Sequence, residues 1–237
     1  MNKIRRLAYK RLILKGDGKM KLGEIKLEAL MLCFANPALG IDTEDEEVFL
    51  STLNNLKYDA NYEDYLNAMP GAINRCFSAI EHKGILPSRT VRLTGGALPV
   101  NEGFARLELG EIADDINRLE SITLVSNGVI IPHMPFTRLG GDTILLHSIG
   151  EKDEYVLIYE PRIPRVRMST PETYNVDLPD NITELIPYFV KGDILRVDDA
   201  NEAAAARNIF EKMCDEIYDA SGEDCQGSVK TVYSQES

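Results

Sequence analysis

His133 and His147 flank Gly140-Gly141-Asp142, and an imidazole held by a carboxylate can activate a water or a serine hydroxyl. Their context points elsewhere. His147 alternates with Leu146 and Ile149 in a strand-like run, and His133 sits between Pro132 and Met134, so both read as strand or hairpin histidines rather than a converging relay. The chain holds no G-x-S-x-G, H-E-x-x-H or G-x-x-x-x-G-K motif. Asp114-Asp115 is a conceivable metal pair, but neighbours in a helix diverge by about 100° and point apart, so capping and solvation explain them better. The acidic run at 44–47 lacks the alternating oxygen ligands and fixed glycine of a calcium loop. Gly95-Gly96 and Gly140-Gly141 are turn signals, as neither joins a strand to a helix at phosphate-cradle spacing. Cys33, Cys76, Cys214 and Cys225 are far apart with no C-x-x-C, which reads as buried thiols in a reducing compartment. The expectation is a protein that is not an enzyme, with no cofactor and no metal. A hydrolase using His133, Asp142 and His147 is the alternative from another class.

The chain of 237 residues, 44% of them hydrophobic, suffices for one large or two small domains with a real core. No apolar run approaches the roughly 20 residues that span a bilayer, so no membrane association is expected. Charge is uneven. Residues 1–21 balance at +7 through Lys3, Arg5, Arg6, Lys10, Arg11, Lys15, Lys19 and Lys21 against Asp17, which leaves −19 for the remainder of a chain of net charge −12. Lys10 and Arg11 interrupt the apolar stripe of this arm before it reaches secretory-signal length. Lys3, Arg5, Arg6, Lys10 and Arg11 are candidates for docking on the acidic surface of a neighbouring subunit or, as the second choice, for contacting nucleic acid.

The elements that would position such residues change type along the chain. Leu22, Ile25, Ala29, Leu32 and Cys33 trace a helical face, with Leu27, Leu30, Met31 and Phe34 filling the others, so this helix is expected to be buried nearly all round until Asn36-Pro37 stops it. A short helix follows, opened by the acidic residues at 44–47. Tyr62, Tyr65, Leu66, Met69, Ile73, Cys76, Phe77 and Ile80 form a longer stripe, kinked or restarted at Pro70-Gly71 and closed by Gly84. From about 89 to 168 the pattern shifts to short β-rich runs, with Asn127-Gly128 marking a tight hairpin. Within this region Ile112, Ile116 and Leu119 have helical spacing, which predicts a helix crossing one face of the sheet. Helices return from near 182, capped by Asp180 or Asn181, with Pro187 expected to bend the first of them rather than end it. Asp199 and Glu202 form a capping pattern that opens a second, alanine-rich helix through Ala203, Ala206, Phe210, Met213 and Ile217. The predicted fold class is α+β. A helical bundle is built from N- and C-terminal helices, with an inserted small antiparallel β-domain. The divisions are a basic N-terminal arm at 1–21, bundle segments at 22–88 and 169–218, the β-domain at 89–168 and an extended C-terminal tail at 219–237.

The ordered segments Tyr155 to Pro161, Leu178-Pro179-Asp180, Leu185 to Val190 ("LIPYFV") and Asp198-Asp199 resemble the carboxyl half of the head-to-tail adaptor proteins of tailed bacteriophages. These are the connector-ring proteins beneath the portal. The earlier "MPGAINRCFSAIEHKGILP", with Ala72, Ile73 and Asn74, resembles the family's other core helix. The resemblance covers roughly 22–218, and residues 1–19 depart from it, since many such chains would begin near Met20. It implies a structural virion protein of the neck, assembled in the host cytoplasm, forming a homo-oligomeric, dodecameric ring below the portal. Partners implied are the portal protein, a stopper or tail component, and double-stranded DNA that passes without sequence-specific binding. An acidic body suits such a conduit, because a negative lumen does not trap phosphates. In resembling proteins the C-terminal segment docks onto the portal. Val229, Val232 and Tyr233, the apolar residues of an otherwise polar tail, are the candidate anchors. A stopper or tail-completion protein of the same neck is the nearest alternative.

Overall fold

In a computed structural model the described residues are 20–36, 46–101, 103–147 and 149–229, with side chains to residue 220. They form a mixed α/β protein with two antiparallel four-stranded sheets. The chain divides into two compact units. The first takes residues up to Cys76 together with Val166–Ala220, and Phe77–Arg165 make the body of the second.

In the first unit, helix α1 (Leu22–Phe34) is buried or half-buried along its whole length, as its apolar pattern predicts. Its opening amides are satisfied from far away in sequence. Leu22 donates to the Tyr174 carbonyl at 2.8 Å and Gly23 to that of Glu172 at 3.0 Å, while the Glu24 carboxylate accepts the Lys21 amide at 3.0 Å. Helix α2 (Glu46–Lys57) lays Phe49 and Leu53 over Gly23, where any Cβ would collide with both side chains. Helix α3 (Glu63–Lys83) contains Pro70 and is one continuous element, ended by Gly84 at φ +65°. Its residues from Phe77 onward group with the second unit.

The second unit alternates inward and outward side chains along its strands, as in β3 (Phe104–Glu108) and β8 (Glu154–Pro161). Strands β1 (Arg89–Thr94), β8, β4 (Ile116–Ser126) and β5 (Val129–Ile131) form one sheet in that order. The other runs β2 (Val100–Asn101), β3, β7 (Thr143–His147) and β6 (Phe136–Gly140). Leu107, Ile144 and Leu146 from one sheet share a single buried cluster with Ile122, Tyr155 and Leu157 from the other. The hairpin at Asn127-Gly128 forms as predicted. Both residues have positive φ, 50° and 81°, the combination of a type I′ turn whose twist matches the flanking strands.

The helix predicted across Ile112, Ile116 and Leu119 is not formed. A helical turn, α4, covers Leu109–Ile112, and β4 begins at Ile116. The reason lies in the pairing of β4 with β8, whose register shifts between Ile116 and Arg118 and again between Leu119 and Ser121. Each irregularity inserts a residue, so the buried positions fall at Ile116, Leu119 and Ile122, a three-residue spacing that imitates a helix.

The first unit closes with α5 (Asp180–Thr183), α6 (Ile186–Ile194) and, as far as Ala220, α7 (Ala200–Val229). Pro187 does not bend a running helix. It lies in the first turn of α6, where a missing N–H costs nothing because those amides have no partner within the helix. Pro179, not Asp180 or Asn181, holds the cap position of α5. Helix α7 continues beyond residue 218, where the apolar spacing ends, to Val229.

Candidate functional site

Of the segments that carry the adaptor resemblance, Leu185 to Val190 and Asp198-Asp199 build the α6–α7 hairpin, whereas Tyr155 to Pro161 belongs to strand β8 of the second unit. Leu185, Ile186 and Val190 are buried, and α6 packs on α1. The Phe189 ring meets Phe210 edge to face at 5.0 Å, and the Arg207 guanidinium lies 5.7 Å from the Phe189 centroid. Gly192 permits the close crossing, because a Cβ there would stand 3.0 Å from the Ala203 carbonyl oxygen and 2.7 Å from Arg207 Cγ. Asp193 joins three helices, accepting from Arg75 Nε of α3 at 3.1 Å and from Arg207 of α7 at 3.4 Å. In the acidic corner, Asp198 accepts from the Tyr65 hydroxyl at 3.1 Å. Asp199 caps α7 through Oδ1, which accepts the amides of Asn201 and Glu202 at 3.2 and 3.0 Å. Glu202, Glu211, Asp215, Glu216 and Asp219 are exposed along α7, with Arg207 and Lys212 as the cations among them, so the outer side of this helix is predominantly acidic.

Asn74 has a specific role that its sequence position alone did not disclose. Its amide nitrogen donates to the Val166 carbonyl at 2.8 Å, and its Oδ1 accepts the Val166 amide at 2.9 Å, as a neighbouring strand would. Seven residues on, along the same face of α3, Glu81 accepts the Ile163 amide at 2.8 Å and pairs with Arg165. The extended segment after β8 is therefore fastened to α3 by side chains.

The β-region candidates have different partners. His147 in β7 contacts the Thr137 hydroxyl through Nε2 at 3.0 Å and meets the Phe104 ring at 5.0 Å. Asp142 is exposed and accepts the Leu109 amide through its main-chain carbonyl. His133 is exposed after β5, at φ 55°. These contacts do not join the three residues into a relay. Asp115 is a structural hub, with Oδ1 accepting from the Tyr159 hydroxyl at 2.9 Å and Oδ2 paired to Arg89 at 2.6 Å. Among the described residues no cluster of His, Cys, Asp or Glu has the arrangement of a metal site, and no helix is long and apolar enough to cross a membrane. Cys33, Cys76 and Cys214 are free thiols. Burial pushes Cys33 up to about 11 and Cys76 well above its ordinary value, so neither presents a thiolate at neutral pH.

Glu160 is a buried carboxylate of the second unit. Its side chain is 3% exposed, Oε2 lies 3.0 Å from Arg118, and Oε1 is buried without a hydrogen-bond partner. Burial raises its pKa above the ordinary value, and Arg118 opposes this only in part. A raised folded-state pKa means that the native state holds the proton more tightly than the unfolded one. The contribution of Glu160 to stability is therefore fully present below the unfolded value and declines as pH rises through the folded value. Carboxyl-carbon NMR should show Glu160 titrating above its ordinary value. Glu108, lowered by its hydrogen bonds from Thr143 and Arg106, should titrate below. Glu160→Gln should remove this falling limb from the stability–pH curve. An unchanged limb would assign it to another group.

The basic-arm candidates Lys3, Arg5, Arg6, Lys10 and Arg11 lie outside the described residues, as do Val232 and Tyr233. Val229 is the last residue of α7, and its side chain is not among those described. Compared with known proteins, the chain matches no family model and no curated protein sequence.

Proposed function

We propose that the protein is a structural virion component, a head-to-tail adaptor that forms a ring below the portal and a conduit for passing DNA. The observation that carries the reading is the fixed order of four segments, Tyr155 to Pro161, Leu178 to Asp180, Leu185 to Val190 and Asp198-Asp199. Their roles support it, since the last two build the α6–α7 hairpin while Asn74 secures the segment between β8 and α5. In this reading the helices of 22–83 and 182–218 form one bundle, a rigid wedge repeated around the ring, and 89–168 is an inserted β-domain. The acidic outer side of α7 suits a lumen through which phosphates slide without capture. The basic arm docks on the acidic body of the next subunit, and the segment with Val232 and Tyr233 reaches the portal. Each single contact is small, and ring symmetry compensates through effective concentration.

Electron microscopy of the purified chain, alone and mixed with the portal protein of the same virion, tests this. A closed ring on the portal is expected. Removing residues 230–237 should leave thermal stability unchanged while abolishing co-purification with the portal. Retained portal affinity would move the interface to the helical wedge. Failure to form rings in either condition would overturn the reading. Binding to a tail component but not to the portal would favour a stopper or tail-completion protein.

A further inference from the structure

We propose that strand β5, Val129–Ile131, is a self-pairing edge through which two copies of this chain join their sheets antiparallel, with Ile130 opposite Ile130. The strand lies at the edge of the sheet β1-β8-β4-β5. All three side chains are apolar and exposed, Val129 by 59%, Ile130 by 68% and Ile131 by 44%, so both faces of the strand meet solvent. Open strand edges are normally blunted by charge or proline. The opposite edge, β1, carries Arg89 and Arg92, and the edge strand β6 of the second sheet carries Arg138. Strand β5 has no charged residue, a property it shares with the two-residue edge strand β2.

Hairpin geometry fixes which groups are free. The two-residue type I′ turn at Asn127-Gly128 is closed by the Ser126–Val129 pair, followed by Val125–Ile130 and Leu124–Ile131. Antiparallel pairs alternate between hydrogen-bonded and open. The pairs of Val129 and Ile131 therefore bond to β4, and the Ile130 amide and carbonyl point to the free edge. Two residues on, the outward position is Pro132, which has no N–H to leave unsatisfied. An antiparallel partner centred on Ile130 would exchange both of its main-chain bonds and set Val129 against Ile131 in each direction.

Charge selects the partner. From Ser121 to Thr137 the chain contains no Asp, Glu, Lys or Arg, in a protein of net charge −12. A charged side chain on an incoming strand would find no counter-charge to pair with on this hairpin. Two acidic copies repel each other over most of their surfaces, and this hairpin is a place where they can touch without that repulsion. Its own sequence, uncharged and apolar on both faces, meets the requirement it imposes. A twofold contact of this kind is isologous and self-limiting. It does not depend on the adaptor reading, and between stacked rings the same contact would be repeated around the axis.

The test uses the full chain with Cys33→Ser and Cys225→Ser to lower background oxidation. Mild oxidation of Ile130→Cys should give a covalent dimer, because directly opposed Cα atoms about 5.5 Å apart suit a disulfide. Val129→Cys alone should not cross-link, whereas an equal mixture of Val129→Cys and Ile131→Cys chains should. In sedimentation velocity, Ile130→Lys on the natural chain should weaken the twofold association at least tenfold with an unchanged melting temperature. Equal cross-linking at 129 and 130, absence of any Ile130→Cys dimer, or association that survives Ile130→Lys would each overturn the proposal. So would binding of the natural chain to phosphatidylcholine vesicles that is lost in Ile130→Lys without any self-association, which would make lipid the occupant. Rings that persist in Ile130→Lys leave the adaptor reading standing, and dimers without rings leave only the pairing.

Discussion

Glu172→Ala is expected to destabilise the protein by ~3–5 kcal/mol, the cost of stranding a buried charge. Lys26, on the helix buried nearly all round, has a side chain only 6% exposed, and its Nζ lies 2.9 Å from Glu172 Oε1. Lys57 shares that oxygen at 3.0 Å but stays 42% exposed, so water can take over its solvation when the carboxylate is gone. Lys26 has no such recourse. The second oxygen, Oε2, is buried without a hydrogen-bond partner, so the pair already carries a desolvation cost. Replacing both buried charges, Lys26→Met with Glu172→Leu, should therefore recover most of the loss, because apolar groups of similar volume need no compensation. Urea denaturation of the two variants measures both effects. A single variant within about 1 kcal/mol of the natural protein, or a double variant as unstable as the single, would reject this account.

Asn74→Leu should cost about 2–6 kcal/mol, since two main-chain groups of Val166 lose their partners at ~1–3 kcal/mol each. The bonds at 2.8 and 2.9 Å use both ends of one carboxamide, which makes the substitution with Asp informative. A carboxylate can accept from the Val166 amide but cannot donate to its carbonyl, whereas a protonated carboxyl can do both. Asn74→Asp should be destabilised at neutral pH and recover as pH falls below the ordinary carboxylate range, relative to the natural protein under the same conditions. Parallel pH profiles for Asn74→Asp and the natural protein would show that the side-chain clamp contributes little. Because Asn74 lies within one of the segments carrying the adaptor resemblance, this result also separates a folding role for that segment from a role in partner contact.

The two variants mark where local sequence stops being sufficient. Helix α1, the β4–β5 hairpin and the Asp199 cap of α7 were legible because each is decided within a few residues, by apolar periodicity, by a turn needing two positive φ angles, and by a carboxylate reaching amides two and three positions on. The spacing of Ile116 and Leu119 fitted a helix, and only pairing with β8 through two register shifts made it a strand. Pro187 has the same local chemistry in mid-helix and in a first turn, and its place depended on where the chain re-entered a helix. Neither Asn74 nor Lys26 carries a sequence signal for its partner, 92 and 146 residues away respectively. What the sequence determined by itself was the set of elements whose hydrogen bonds close locally, together with the ordered segments on which the adaptor reading rests. Tertiary structure alone decided which polar groups were buried together and which strand edge was left open, because burial and edge exposure depend on contacts between residues that sequence spacing does not relate.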